Sequence, residues 1–147
     1  MAQPTLPADV EANVRQSFAA QGMMNTAGAE IIELGAGHCR IAAPIKPQMS
    51  QQHGFAHAGL TFALGDSACG YAALSQLPKG QEVLTSEMKI HLLAPARGAR
   101  LVATGEVIRA GRRLIVTRAD VMAEDADGAQ SHVATLLGTI VPLAVKP

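Results

Sequence analysis

Tryptophan is absent from this chain, and aromatic residues fill only 3% of its 147 positions. That leaves little material for stacking nucleic-acid bases. Charge of one sign is missing too. Twelve Lys and Arg balance twelve Asp and Glu, so no net field draws in nucleic acid or an anionic membrane. Two cysteines, Cys39 and Cys69, are too few for a disulfide framework or an all-cysteine zinc site, and they fit a reducing compartment. Residues 1–7 lack the basic and apolar regions of a secretory signal. No apolar run approaches the roughly 20 residues of a spanning helix. A soluble, cytoplasmic protein without nucleic-acid or membrane partners is expected.

What is present is apolar: 48% of residues are hydrophobic and 16% charged, which argues against disorder and for a single packed domain over residues 1–147. Residues 9–21 read as an amphipathic helix, with Val10, Val14 and Phe18 on one face, Asp9 as its cap and Gly22 at its exit. Residues 1–24 thus form an N-terminal helical segment, and residues 25–142 the core. A hairpin follows, from residues 30–34 through Gly35-Ala36-Gly37 to residues 38–45. Residues 57–77 are small or apolar on nearly every side, as in a helix buried all round. The glycines at 59, 65 and 70 allow other backbone to approach it closely. Alternating segments then begin near Met88 and continue through 101–109, 114–124 and 130–142, joined by turns short enough for antiparallel neighbours. One long helix followed by such strands is an α+β pattern. A curved antiparallel sheet wrapping that central helix, with a short helix in front, is a hotdog-like arrangement.

Asp66 is the only charged residue from 57 to 77. A carboxylate buried there without a partner is costly, so its presence asks for a reason. One reading makes Asp66 the cap of a shorter helix starting at Ser67, with residues 55–64 as a strand. Cys69 stands where a reciprocal Glu or Gln belongs, which weighs against it. If the helix starts near His57, its first turn offers the N–H groups of Ala58 and Gly59 to an oxygen gaining negative charge. Asp66 then lies about 13 Å along the axis and about 180° around it. Both groups reach one carbonyl only across a two-fold pair of antiparallel helices. A homodimer at minimum is therefore expected, with a tetramer of two dimers as the larger alternative.

The stretch Gly54-Phe55-Ala56-His57-Ala58-Gly59-Leu60-Thr61-Phe62-Ala63-Leu64-Gly65-Asp66 resembles the His-Gly-Gly…Asp signature of hotdog-fold acyl-CoA thioesterases of the phenylacetate-pathway, PaaI-like type. The likeness runs over about residues 25–142. It implies that Asp66 is general base or nucleophile, that the backbone N–H of Ala58, with Gly59 adjoining, forms the oxyanion hole, and that His57 polarises the thioester or orders the turn. Ala58 replaces the first glycine of the pair. Gln51 stands where relatives often carry asparagine, keeping the amide on a longer arm. A hydroxyl residue of the next strand assists in that family, and counting back from Pro95 gives Thr85. Strand alternation instead turns Ser86 inward with Met88 and Ile90, unless a bulge intervenes.

Weaker signals remain. Arg97, Arg100, Arg109, Arg112, Arg113 and Arg118 are either solvated strand ends or a phosphate grip for coenzyme A, for which Arg112 and Arg113 in a turn are best placed. His38, His53, His91 and His132 lack paired metal spacing, so no metal site is expected. Gly65-Asp66-Ser67-Ala68-Cys69 lacks the second glycine of a serine elbow. Leu60 and Phe62 are candidates for an acyl-binding wall. Together these features point to hydrolysis of an acyl-CoA thioester to free acid and coenzyme A. That reaction uses no cofactor, since coenzyme A arrives with the substrate. A hotdog hydratase or dehydratase lacks its His-acid motif here, and a non-catalytic acyl-CoA-binding module leaves Asp66 without a task.

Overall fold

The computed structural model describes residues 4–145. Its elements are α1 (Ala8–Ala19), α2 (Gly22–Ala27), β1 (Glu30–Gly35), β2 (His38–Pro44), a single 3-10 turn (Pro47–Met49), α3 (Ala58–Leu74), β3 (Gln81–Leu92), β4 (Arg100–Ala110), β5 (Ile115–Glu124) and β6 (Gln130–Ala144). All six strands form one antiparallel sheet in the order β1-β2-β4-β5-β6-β3. The sheet wraps α3, whose Leu60, Leu64, Ala68, Cys69 and Ala72 pack into one core with Ile41, Leu101, Ala119, Leu136 and Ile140. This is the hotdog architecture.

Several local expectations are corrected. Asp9 is not the cap of α1: Pro7 holds that position, and Asp9 lies in the first turn with Glu11, where a carboxylate still meets the positive end of the helix dipole. Gly22 does not close α1 but opens α2, which ends at Gly28 in the left-handed region (φ 70°). The expected boundary at residue 24 therefore falls inside a helix. The long helix stops at Leu74 rather than 77. There the Ser75 hydroxyl donates to the Ala72 carbonyl at 2.7 Å and accepts the Gly37 N–H at 2.8 Å, tying the helix end to the β1–β2 turn.

Nor is α3 buried all round within one chain. Gly59 is exposed, and Phe62, Ala63, Asp66, Ser67 and Gly70 are only half-buried, leaving an open stripe down one side. The close backbone approach is also not made through the helix's own glycines. It occurs at Gly105 of β4, where an added Cβ would stand 2.3 Å from the Ala68 carbonyl carbon and 2.6 Å from the Cys69 nitrogen. Gly65 instead faces the side chain of Leu136, and a Cβ at Gly70 would meet only Val83 Cγ2, at 3.9 Å.

Candidate active site

Asp66 sits in the third turn of α3. The helix is continuous through it, with His57 as its N-cap, so the shorter helix starting at Ser67 does not exist and Ser67 is not on a strand-to-helix elbow. Thr85 pairs with Ile140 and Glu87 with Thr139, so Ser86 is an extra, bulged residue. Before the bulge Val83 and Thr85 face the helix; after it Met88 and Ile90 do. Alternation counted from Met88 and Ile90 therefore fails at Ser86, which is exposed in the bulge, and Thr85 is the hydroxyl residue turned to the helix. The consequence is chemical. Thr85 Oγ1 donates to Asp66 Oδ1 at 2.6 Å, a short bond to a charged acceptor, while Oδ2 has no hydrogen-bond partner among the described residues. The two line a cleft of about 340 Å³ together with Ser17, Gln21 and Tyr71.

At the N-terminal end of α3, His57 accepts the Gly59 N–H through its Nδ1 at 2.8 Å. In the neutral ring that bond leaves the proton on Nε2. Of the two N–H groups in the first turn, Gly59's is therefore engaged, and Ala58's has no acceptor among the described residues. Gln51 accepts the His53 N–H through its side-chain oxygen and donates its own N–H to the Phe55 carbonyl at 2.9 Å. Gln51 and Ala58 line a second, more apolar cleft of about 500 Å³ with Phe55, Leu92, Leu93 and Pro95. No residue is common to the two clefts. Within one chain, the carboxylate and the free N–H serve different cavities.

The arginines separate as well. Arg100 pairs with Glu124 at 2.8 Å and Arg118 with Glu106 at 3.2 Å. Hydrogen bonds from Gln130 and Arg100 hold the Glu124 carboxyl below its ordinary range. Arg97 lies over the Phe55 ring, 4.9 Å from its centroid. Arg112 and Arg113 are exposed in the β4–β5 turn and make no salt bridge among the described residues. That turn lies at Thr85's end of the sheet: Ile115, just after it, pairs with Ile140, which pairs with Thr85. Two strand spacings, about 10 Å, separate them. Leu60 is core, at 3% exposure, rather than a cavity wall. His132 is 3.0 Å from Asp120, and no group of three or more metal-binding side chains occurs among the described residues. Cys39 and Cys69 are buried and unpaired, and burial pushes both thiols up to about 12. No helix among the described residues is long and apolar enough to cross a membrane.

Residues 53–129, which carry both the helix start and Asp66, match the family described as the thioesterase superfamily. The chain belongs to that family. A thioesterase family protein from Silicibacter pomeroyi is 41% identical and superposes with a TM-score of 0.89, over 92% of this chain and 98% of that one. A Bacillus halodurans structure solved with CoA is 27% identical at TM-score 0.71, covering 92% of this chain and 89% of its own. The Escherichia coli PaaI protein of the phenylacetic acid degradation operon shares the fold at 23% identity and TM-score 0.83, over 97% of this chain and all of that one. This thioesterase is thus a hotdog-fold thioester hydrolase.

One feature of the cleft beside Asp66 was missed in sequence: the wall supplied by Ser17 of α1 and by Gln21 between α1 and α2. The signal was slight: Ser17 and Gln21 are two polar residues next to the apolar Phe18.

Proposed function

We propose that the protein hydrolyses acyl-CoA thioesters at a site completed by two copies of the chain. The observation that carries this reading is the Thr85–Asp66 hydrogen bond in a cleft on the central helix. Thr85 occupies Oδ1 and aims Oδ2 at the reacting carbon. The carboxylate either attacks the thioester carbonyl, giving a mixed anhydride and expelling the thiolate, after which water hydrolyses the anhydride to free acid and regenerated Asp66, or it takes a proton from water as hydroxide adds and the thiolate then leaves with that proton. On both routes the carbonyl oxygen gains negative charge, and the free Ala58 N–H at the positive end of α3 of the second copy stabilises it. Gln51 positions the substrate, and His57 fixes the turn that presents Ala58 and Gly59.

The separation of the two clefts supports a homodimer as the smallest working unit. The open stripe on α3 supplies surface for antiparallel packing of two helices. Arg112 and Arg113 grip the coenzyme A phosphates, in keeping with the CoA held by the similar Bacillus halodurans protein. The chemistry takes no cofactor, and the free thiols of Cys39 and Cys69 favour a reducing, cytoplasmic setting.

The test is thiol release across acetyl-, medium-chain, long-chain and aromatic acyl-CoAs. Asp66→Asn should lose about a thousandfold in kcat while still binding substrate. Wild-type turnover in this variant, with deamidation excluded, would remove Asp66 from the mechanism.

A further inference from the structure

The cleft beside Asp66 ends in a hydrogen-bonding group that the hydrolysis itself does not use. Tyr71 is nearly buried, at 4% exposure, and stacks edge-on against Phe18 with ring centroids 5.6 Å apart. Its hydroxyl accepts from Gln21 Nε2 at 2.7 Å and lies 3.3 Å from Ser17 Oγ. The second distance is long for a hydroxyl pair, whose usual separation is about 2.8 Å. With Gln21 donating, the phenolic proton therefore has only a weak acceptor. Burial pushes the Tyr71 phenol above its ordinary value, so that proton stays on. Gln21 Oε1 has no hydrogen-bond partner among the described residues. The trio thus offers one donor and one acceptor to whatever reaches the end of the cleft.

A path leads there. Between Asp66 and Tyr71 lies Gly70, where an added Cβ would meet only Val83 Cγ2, at 3.9 Å. The five residues from Asp66 to Tyr71 rise about 7.5 Å along the axis. Glu82 lines the same cleft, so a carboxylated ligand would face two carboxylates, Glu82 and Asp66, in a partly desolvated space.

We infer that this cleft takes the acyl group, and that Tyr71, Gln21 and Ser17 select uncharged acyl chains carrying a hydroxyl about six bonds from the thioester carbonyl. The inference rests on the Asp66 reading for the position of the carbonyl. The substrate hydroxyl donates to Gln21 Oε1 and accepts the Tyr71 proton. An unsubstituted chain leaves both groups unpaired when it displaces water, and sites built to pair a hydroxyl discriminate strongly against analogues lacking it.

The experiment compares omega-hydroxyhexanoyl-, heptanoyl- and adipoyl-CoA, alike in length and different in their last group. Wild-type kcat/KM should favour the hydroxylated chain over heptanoyl by at least about tenfold, with adipoyl poorest. Tyr71→Phe and, separately, Gln21→Leu should each reduce the hydroxyl preference by about tenfold. Kd values of the matching non-hydrolysable thioethers should follow the same order. That readout does not need Asp66 chemistry, so loss of the catalytic assignment and loss of the selectivity assignment give different results. A wild-type preference near unity in both kcat/KM and Kd, or one untouched by either substitution, overturns the inference.

Discussion

Replacing Gly105 with alanine tests how the helix and sheet position the site. An added Cβ would lie 2.3 Å from the Ala68 carbonyl carbon, 2.4 Å from its oxygen and 2.6 Å from the Cys69 nitrogen. All three are backbone atoms, so no rotamer change relieves the clash. Restoring a contact of about 3.5 Å means lifting α3 from β4 by roughly 1 Å. Overpacking of this kind costs about 3 kcal/mol, the upper part of its usual range, which lowers Tm by about 6–12 °C in a chain of this size. Asp66 is two residues from the lifted segment, and a displacement near 1 Å in a reacting group costs about a hundredfold in rate. Gly70→Ala is the control, because its Cβ makes only an ordinary contact with Val83. It should raise stability by up to about 1 kcal/mol through helix propensity. Urea melts compare the two variants, and acyl-CoA turnover is measured for Gly105→Ala. A Gly105→Ala protein that melts and turns over like wild type would refute the claim that this strand fixes the height of α3 and of the site proposed on it.

Mixing Asp66→Asn subunits with inactive Ala58→Pro subunits should restore activity, since one site of each mixed dimer would hold an intact carboxylate and an intact helix start; no recovery despite verified exchange would place the site within one chain. Substituting Arg112 and Arg113 together with alanine should raise KM for acyl-CoA far more than for a short thioester lacking the nucleotide, and more so at low salt; equal changes on both substrates would end the phosphate role. The thiols give a pH prediction. The native values of Cys39 and Cys69, about 12, lie above the ordinary 9.0, so the folded chain keeps protons that the unfolded chain releases. The stability this provides is complete below about pH 9 and is lost as pH rises towards 12, by about 1.4 kcal/mol per pH unit for each thiol. Urea midpoints of wild type should therefore fall more steeply from about pH 9 to about pH 11 than those of a Cys39→Ala/Cys69→Ala double variant; parallel slopes would count against it.

The broad architecture was legible because period and composition agree over long stretches: α3 is too apolar to be a surface helix, and β4, β5 and β6 alternate clearly. The ends of elements were less legible. Asp9 and Gly22 carry the right residue types for a cap and an exit, but Pro7 and the start of α2 take those places. The choice between Thr85 and Ser86 was undecidable by counting, because a single extra residue in β3 reverses which side chains face inward. Leu60 looked like a binding surface only because apolarity does not distinguish core from cavity wall. The role of Gly105 lay beyond any local signal, since the atoms that require it belong to another element.

The strand order has a consequence for how this chain matures. β3 comes third in sequence but last across the sheet, and its one neighbour is β6. Thr85 is registered opposite Ile140, so closing that pair means enclosing more than fifty intervening residues, a long-range closure of the kind that slows folding. During synthesis, Asp66 and its helix are complete well before β6 exists. Thr85 cannot be held against Asp66 until β4, β5 and β6 have stacked in turn. Partly folded chains thus expose an incomplete sheet edge, a form prone to mispairing. They also carry Asp66 without its Thr85 hydrogen bond, so the proposed site is completed as one of the last events of folding rather than growing with the core.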